Sequence, residues 1–148
     1  MNIALMTIQD YDGIYSLWIN TPGMGLNNID DSIEGIERYL KRNPNTCFVA
    51  RKKDQVIGVI LSGHDGRRGF IHHTAVAISQ RNKGIGEALV ERAIEALRKE
   101  GISKVALVVF DRNRIGNSFW KKMGFEKRED LIYRNKVITD KEMERIDT

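Results

Sequence analysis

Between Phe70 and Glu87 the sequence sets three kinds of chemistry next to one another: adjacent imidazoles at His72 and His73, the run Thr74-Ala75-Val76, and the segment Arg81-Asn82-Lys83-Gly84-Ile85-Gly86-Glu87 opening a long helical pattern. An unperturbed imidazole, with a pKa near 6.5, accepts a proton from an ammonium at physiological pH, so each histidine is a candidate base. Neighbours on a strand face opposite sides, so only one of the two is expected to face a substrate. The glycine segment suits a different partner. N–H groups in the first helical turn lack intrahelical acceptors and lie at the positive end of the helix dipole, and glycines let phosphate oxygens come close.

Two familiar phosphate-binding patterns fail on these residues. A dinucleotide fingerprint needs a third glycine where Leu89 stands, and it should follow the first strand of a βαβ unit rather than three earlier strands. No Gly-x-x-x-x-Gly-Lys-Ser/Thr string occurs, which removes the P-loop. Elsewhere, the loop His64-Asp65-Gly66-Arg67-Arg68-Gly69 offers Asp65 as a partner for a substrate ammonium and Arg67 for a substrate carboxylate, or else is a solvated hairpin. Cys47 lies in an apolar run, where a cysteine behaves as a small hydrophobe.

The elements that must position these residues follow from periodicity. Ile3 to Met6 reads as a strand. Thr7 with Asp10 starts a helix carrying Ile8, Tyr11, Ile14, Tyr15 and Trp18, which ends near Asn20. After the loop Thr21-Pro22-Gly23-Met24-Gly25, Asp31 with Glu34 starts a second helix, stopped by Asn43-Pro44-Asn45. Residues 47–50 and 56–61 form a hairpin pattern, and a third strand runs from Phe70 to Ile78. Gly84 to Glu100 is an amphipathic helix stopped by Gly101. Val105 to Phe110 reads as a strand buried on both faces, Ile115, Phe119 and Met123 mark a helix closed by Gly124, and a last strand is expected within Phe125 to Ile138. The order β-α-α-β-β-β-α-β-α-β implies an α+β sandwich of helices on a mixed sheet.

Composition narrows the function classes. A chain of 148 residues, 41% hydrophobic and 30% charged, fits one globular domain. It contains no apolar run long enough to span a bilayer, and its start lacks the order of a secretory signal, so no membrane partner is expected. One cysteine excludes an internal disulfide and agrees with the cytoplasm. The net charge of +4 comes in short basic groups without interleaved aromatics or a nucleic-acid-binding motif, so no nucleic-acid partner is expected.

Arg81, Gly84 and Gly86, between a strand and a long helix, resemble the signature of the GCN5-related N-acetyltransferase (GNAT) family: Arg or Gln, two residues, Gly, one residue, then Gly or Ala. The resemblance continues in register through Asn113, Phe119-Trp120 and Gly124-Phe125 and covers residues 47 to 126 well. It implies a mostly antiparallel sheet flanked by helices. It further implies a single acetyltransferase domain over 1–138 with a charged tail over 139–148, acetyl-CoA as cosubstrate, a primary amine as acceptor, and no metal. Thr74, Ala75 and Val76 would line the pantetheine, Asn82 to Glu87 hold the pyrophosphate, and Arg81 and Lys83 add charge. Asn113 would hydrogen-bond the pantetheine and Trp120 pack beside the thioester.

The family's usual acid is a tyrosine where this chain has Trp120, and an indole N–H is not a usable proton source. Tyr133 is the alternative donor. Some relatives use a histidine two residues before the equivalent of Thr74, which makes His72 the expected base and leaves His73 for substrate binding or the sheet surface. A CoA-binding domain of this fold without transfer activity, and a nucleotide-binding module, are the rival readings. A homodimer is among the assemblies the fold allows.

Overall fold

The computed structural model describes residues 1–148. Five strands form the main sheet: β1 (Asn2–Leu5), β3 (Phe48–Lys52), β4 (Gln55–His64), β5 (Gly69–Val76) and β6 (Val105–Leu107), in the spatial order β1-β3-β4-β5-β6. All neighbours are antiparallel except β5 and β6, which are parallel. A parallel pair needs a crossover, and helix α3 (Ile85–Lys99) supplies it.

Helices cover both faces. On one face α1 (Tyr11–Ile19) and α2 (Ile33–Arg42) bury Ile14, Leu17, Trp18, Ile36 and Leu40 against Val49, Val59, Leu61 and Ala75. On the other, Ile85, Leu89, Val90 and Ala93 of α3 cover Phe48, Ala50, Ile57, Ile60 and Ile71. Phe119 and Trp120 of α4 (Arg114–Lys122) join that second core. Burying each large aliphatic side chain contributes about 1.5–3 kcal/mol, so these two layers fix where the sheet's central strands lie. Caps fall where short polar residues stand: Thr7 N–H donates to the Asp10 carboxylate at 2.9 Å, and the Asn113 side chain accepts from Gly116 N–H at 2.9 Å.

Four expectations require correction. The second helix is capped by Ser32, whose Oγ accepts from Gly35 N–H at 3.1 Å, and not by Asp31, which is buried one residue earlier. The strand expected through Ile78 ends at Val76, because Ile78–Gln80 forms a 3-10 turn. The run Val105 to Phe110 is a strand only to Leu107 and lies at the sheet edge, with Val108 58% exposed, so its apolar residues are not sandwiched on two faces. No strand forms within 125–138. The last one is β7 (Arg145–Ile146), inside the expected tail, paired with β2 (Leu26–Asn27) in a separate two-stranded sheet. Asn28 secures this pairing, donating to Glu142 O and accepting from Glu144 N–H.

Candidate active site

The site begins at an irregularity in β5. Its register with β4 runs Leu61↔His72 and Val59↔Ala75, so His73 and Thr74 together oppose Ile60. This is a β-bulge, and His73 sits in it with a left-handed conformation, at φ 41. The carbonyl of His73 accepts from the buried Trp18 Nε1 at 2.9 Å, which holds the bulge against α1.

Two consequences follow. Alternation resets at the bulge, so His72 and His73 lie on the same face of the sheet, their ring centroids 6.1 Å apart. Expecting neighbouring histidines to face opposite sides fails here because a bulge adds a residue without a partner. The bulge also accompanies a split in the sheet: β5 and β6 pair from Gly69↔Val105 to Ile71↔Leu107 and no further. From His72 to Val76, β5 keeps β4 on one side and has no strand on the other. Within this stretch Thr74 Oγ1 is buried and has no hydrogen-bond partner.

A cleft of about 1310 Å³ opens at the split and is lined by His72, His73, Thr74, Asn113, Trp120 and Tyr133, six of the expected site residues, together with residues of α2. The histidines differ sharply. His73 Nε2 lies 2.8 Å from Asp31 Oδ1, and Asp31 Oδ2 accepts from Asn27 N–H at 2.8 Å, so a buried carboxylate fixed by the backbone orients the ring. With the proton on Nε2 toward the carboxylate, Nδ1 is the basic nitrogen. His72 has no such partner. It packs among Tyr39, Phe70 and His73, and burial first, then the neighbouring His73, pushes its pKa down to about 4.

At the far end of β5, Gly84 (φ 81) and Asn82 (φ 62) turn the chain into α3, whose N-terminus no side chain caps. A Cβ on Gly84 would meet nothing within 4 Å, whereas one on Gly86 would stand 3.2 Å from the Phe119 ring. Gly84 therefore leaves the helix terminus approachable, and Gly86 is small in order to pack on α4. Arg81 Nε donates to Val76 O at 3.3 Å, which carries its guanidinium to the open edge of β5, while Lys83 reaches Gln80 at 3.3 Å.

Other expected residues are placed less simply. Asn113 Oδ1 is taken up as the α4 cap, and its Nδ2 lies near Gly23 of the loop after α1. Trp120 stacks edge-to-face on Phe119 and Phe125, with both centroid distances 5.0 Å. Tyr133 is 67% exposed, on the irregular segment before the C-terminus. Asp65 and Arg67 do not line the cleft. Asp65 Oδ1 accepts from the N–H groups of Arg67 and Arg68, both at 2.8 Å, and those bonds hold its carboxyl below the usual range, so it serves its own turn. Cys47 is buried with its thiol on Ser62 O, and burial pushes it up to about 12, leaving no thiolate for acyl transfer.

A sequence profile of the acetyltransferase (GNAT) family matches residues 11–125. The chain belongs to this family. It is 30% identical to an acetyltransferase of Photorhabdus laumondii over 148 residues, covering 96% of this chain and 99% of that relative. Its fold is that of the PaiA N-acetyltransferase from Thermoplasma acidophilum in complex with coenzyme A, with TM-score 0.73 at 18% identity over 86% of this chain and 91% of that one. An aminoglycoside 6'-N-acetyltransferase from Acinetobacter haemolyticus has the same fold, with TM-score 0.72 at 16% identity over 94% of this chain and 100% of that one. The chain is accordingly an N-acetyltransferase of the acyl-CoA-dependent GNAT class. No helix in this family member is long and apolar enough to cross a membrane, and no three His, Cys, Asp or Glu side chains cluster as metal ligands.

Two features of the cleft lay outside the sequence reading, the His73–Asp31 contact and the bulge. Asp31 passed for a helix-start residue, and nothing in the sequence signals that it pairs with a histidine 42 positions away.

Proposed function

We propose that this chain transfers acetyl from acetyl-CoA to a primary amine held beside His73, in one direct step. The observation that carries the proposal is the split between β5 and β6, which exposes an unpaired strand edge next to an oriented imidazole. The residues suit acetyl-CoA. An extended amide chain can add to the open edge of Thr74, Ala75 and Val76 as a strand would, and Thr74 Oγ1 is a buried polar atom lacking a partner. The N–H groups of Asn82 to Glu87, with Arg81 and Lys83, suit a pyrophosphate. Acetyl-CoA supplies an activated acyl group whose carbonyl carbon the amine attacks.

His73 Nδ1 takes the amine's proton while Asp31 stabilises the imidazolium that results. As the new N–C bond forms and the C–S bond breaks, backbone N–H groups of Thr74 to Val76 stabilise negative charge on the carbonyl oxygen. Trp120 packs beside the reacting carbon and Asn113 Nδ2 donates to the pantetheine. The departing thiolate needs a proton. Two tyrosines line the cleft, and the Tyr39 hydroxyl is turned toward Gly63 and pushed far up by burial, so Tyr133 is the donor in this scheme. His72, depressed toward 4, serves as a neutral wall of the acceptor pocket. Cytoplasmic operation and the absence of a nucleic-acid partner belong to the proposal, supported by the single buried cysteine and the scattered basic groups.

Release of free thiol from acetyl-CoA, followed against a panel of amines with the product identified by mass, tests the proposal. Transfer to an amine is the expected result. A protein that acetyl-CoA stabilises but that transfers to none of the amines would be the silent binding domain instead.

A further inference from the structure

The acceptor half of the cleft carries more cationic charge than the chemistry above uses. Arg38 and Arg42 line it from α2, spaced so that their side chains neighbour each other on one helix face. Neither engages a carboxylate, although Asp30 and Asp31 line the same cleft. Those acids are committed elsewhere: Asp31 to His73 and Asn27, and Asp30 to the Asn27 side chain at 3.1 Å.

These guanidinium groups do not serve the cosubstrate's phosphates. Tyr39, between them in sequence, packs edge-on against His72, with its hydroxyl near Gly63, which pairs with Phe70. The phosphate loop follows Val76, roughly 20 Å further along β5 at about 3.3 Å per residue. A pair of planar forks on a cleft wall matches a carboxylate, which each can bind through two parallel N–H···O bonds.

Resting on the acetyl-transfer reading, we propose that the acceptor is a small amino acid: a primary amine placed at His73 whose carboxylate is bound by Arg38 and Arg42. A neutral amine of the same length reaches His73 but forfeits the second anchor. The anchor acts on binding, so it shows in KM and leaves the chemical step alone.

The test compares amino acids bearing the amine at increasing distance from the carboxylate with amino alcohols of matching length, and includes an aminoalkylphosphonate. The comparison is made in the wild type and in Arg38→Gln/Arg42→Gln. Both arginines are exposed, so the variant should fold, and its melting temperature with acetyl-CoA checks this. The expected result is a KM about 10- to 100-fold lower for at least one amino acid than for its amino alcohol, and loss of that advantage in the variant with the amino alcohol unchanged. Equal KM values for the two series in the wild type, an advantage that survives in the variant, or a preference for the phosphonate would overturn the inference while leaving acetyl transfer standing. Acetyl-CoA binding with no turnover of any amine would overturn both.

Discussion

The two ends of β5 offer a ligand different groups. Beyond Val76 the loop into α3 offers backbone N–H groups, and its requirements are conformational: a left-handed Gly84, a left-handed Asn82 and an uncapped helix start. At the bulge the groups proposed to act are side chains brought together from distant positions, His73 from the strand and Asp31 from the turn before α2. A site made of backbone leaves its mark in local spacing, because the glycines must stand at fixed offsets. A site made of a side-chain pair leaves none.

Substitutions can break that contrast. The largest effect is expected at Gly84→Val. Its Cβ meets no protein atom, yet it fills the approach to the helix terminus and strains a left-handed residue. Acetyl-CoA should then no longer raise the melting temperature, while Gly86→Ala, pressing on Phe119 at 3.2 Å, should lower the melting temperature of the free protein and keep most of the acetyl-CoA shift. Thermal melts with and without the ligand distinguish the two. If Gly86→Ala alone abolished the shift, the assignment of Gly86 to packing would be wrong.

Next in size is Asp31→Asn. Losing the carboxylate that orients His73 should lower kcat by about 10- to 100-fold with little change in KM for acetyl-CoA, and Asp31→Asn combined with His73→Gln should be no worse than His73→Gln alone. Additive losses would show that the pair does not act as a unit.

Smaller still is the kinetic effect of Trp120→Phe, expected to be within about tenfold in kcat, since the indole packs on Phe119 and Phe125 and donates no proton. A loss of about 10³ or more without weaker acetyl-CoA binding would give Trp120 a chemical role.

The last effect concerns stability. His72 titrates near 4 in the folded chain against 6.5 for an unperturbed imidazole, so between those values the unfolded chain binds the proton more readily. Stability should therefore fall as pH drops from 6.5 toward 4, by up to about 3 kcal/mol from this group, and His72→Gln should flatten that slope. Urea midpoints across the range measure it. An unchanged slope would place the acid sensitivity in other groups.

Much of the frame was legible in the sequence. The amphipathic stripe of α3 and the hairpin of β3 and β4 each follow from local pattern. The failures share a physical cause. An extra residue in a strand changes no periodicity that can be read from composition, so the bulge at His73 escaped and the two histidines were expected on opposite faces. Two-residue strands such as β2 and β7 carry no periodic signal, and their pairing joins Leu26 to Ile146 across nearly the whole chain. Val105 to Phe110 is as apolar as a central strand, yet only its tertiary neighbours decide that it lies at an edge.

The most direct test of the account is to measure kcat/KM for acetyl transfer in His72→Gln and His73→Gln side by side, using one acceptor and saturating acetyl-CoA. The bulge places both rings on the acceptor face but gives only His73 an orienting carboxylate, so His73→Gln should lose about 10²- to 10⁴-fold and His72→Gln less than about tenfold. The reverse ranking, or small and equal losses, would contradict the claim that the His73–Asp31 pair deprotonates the amine.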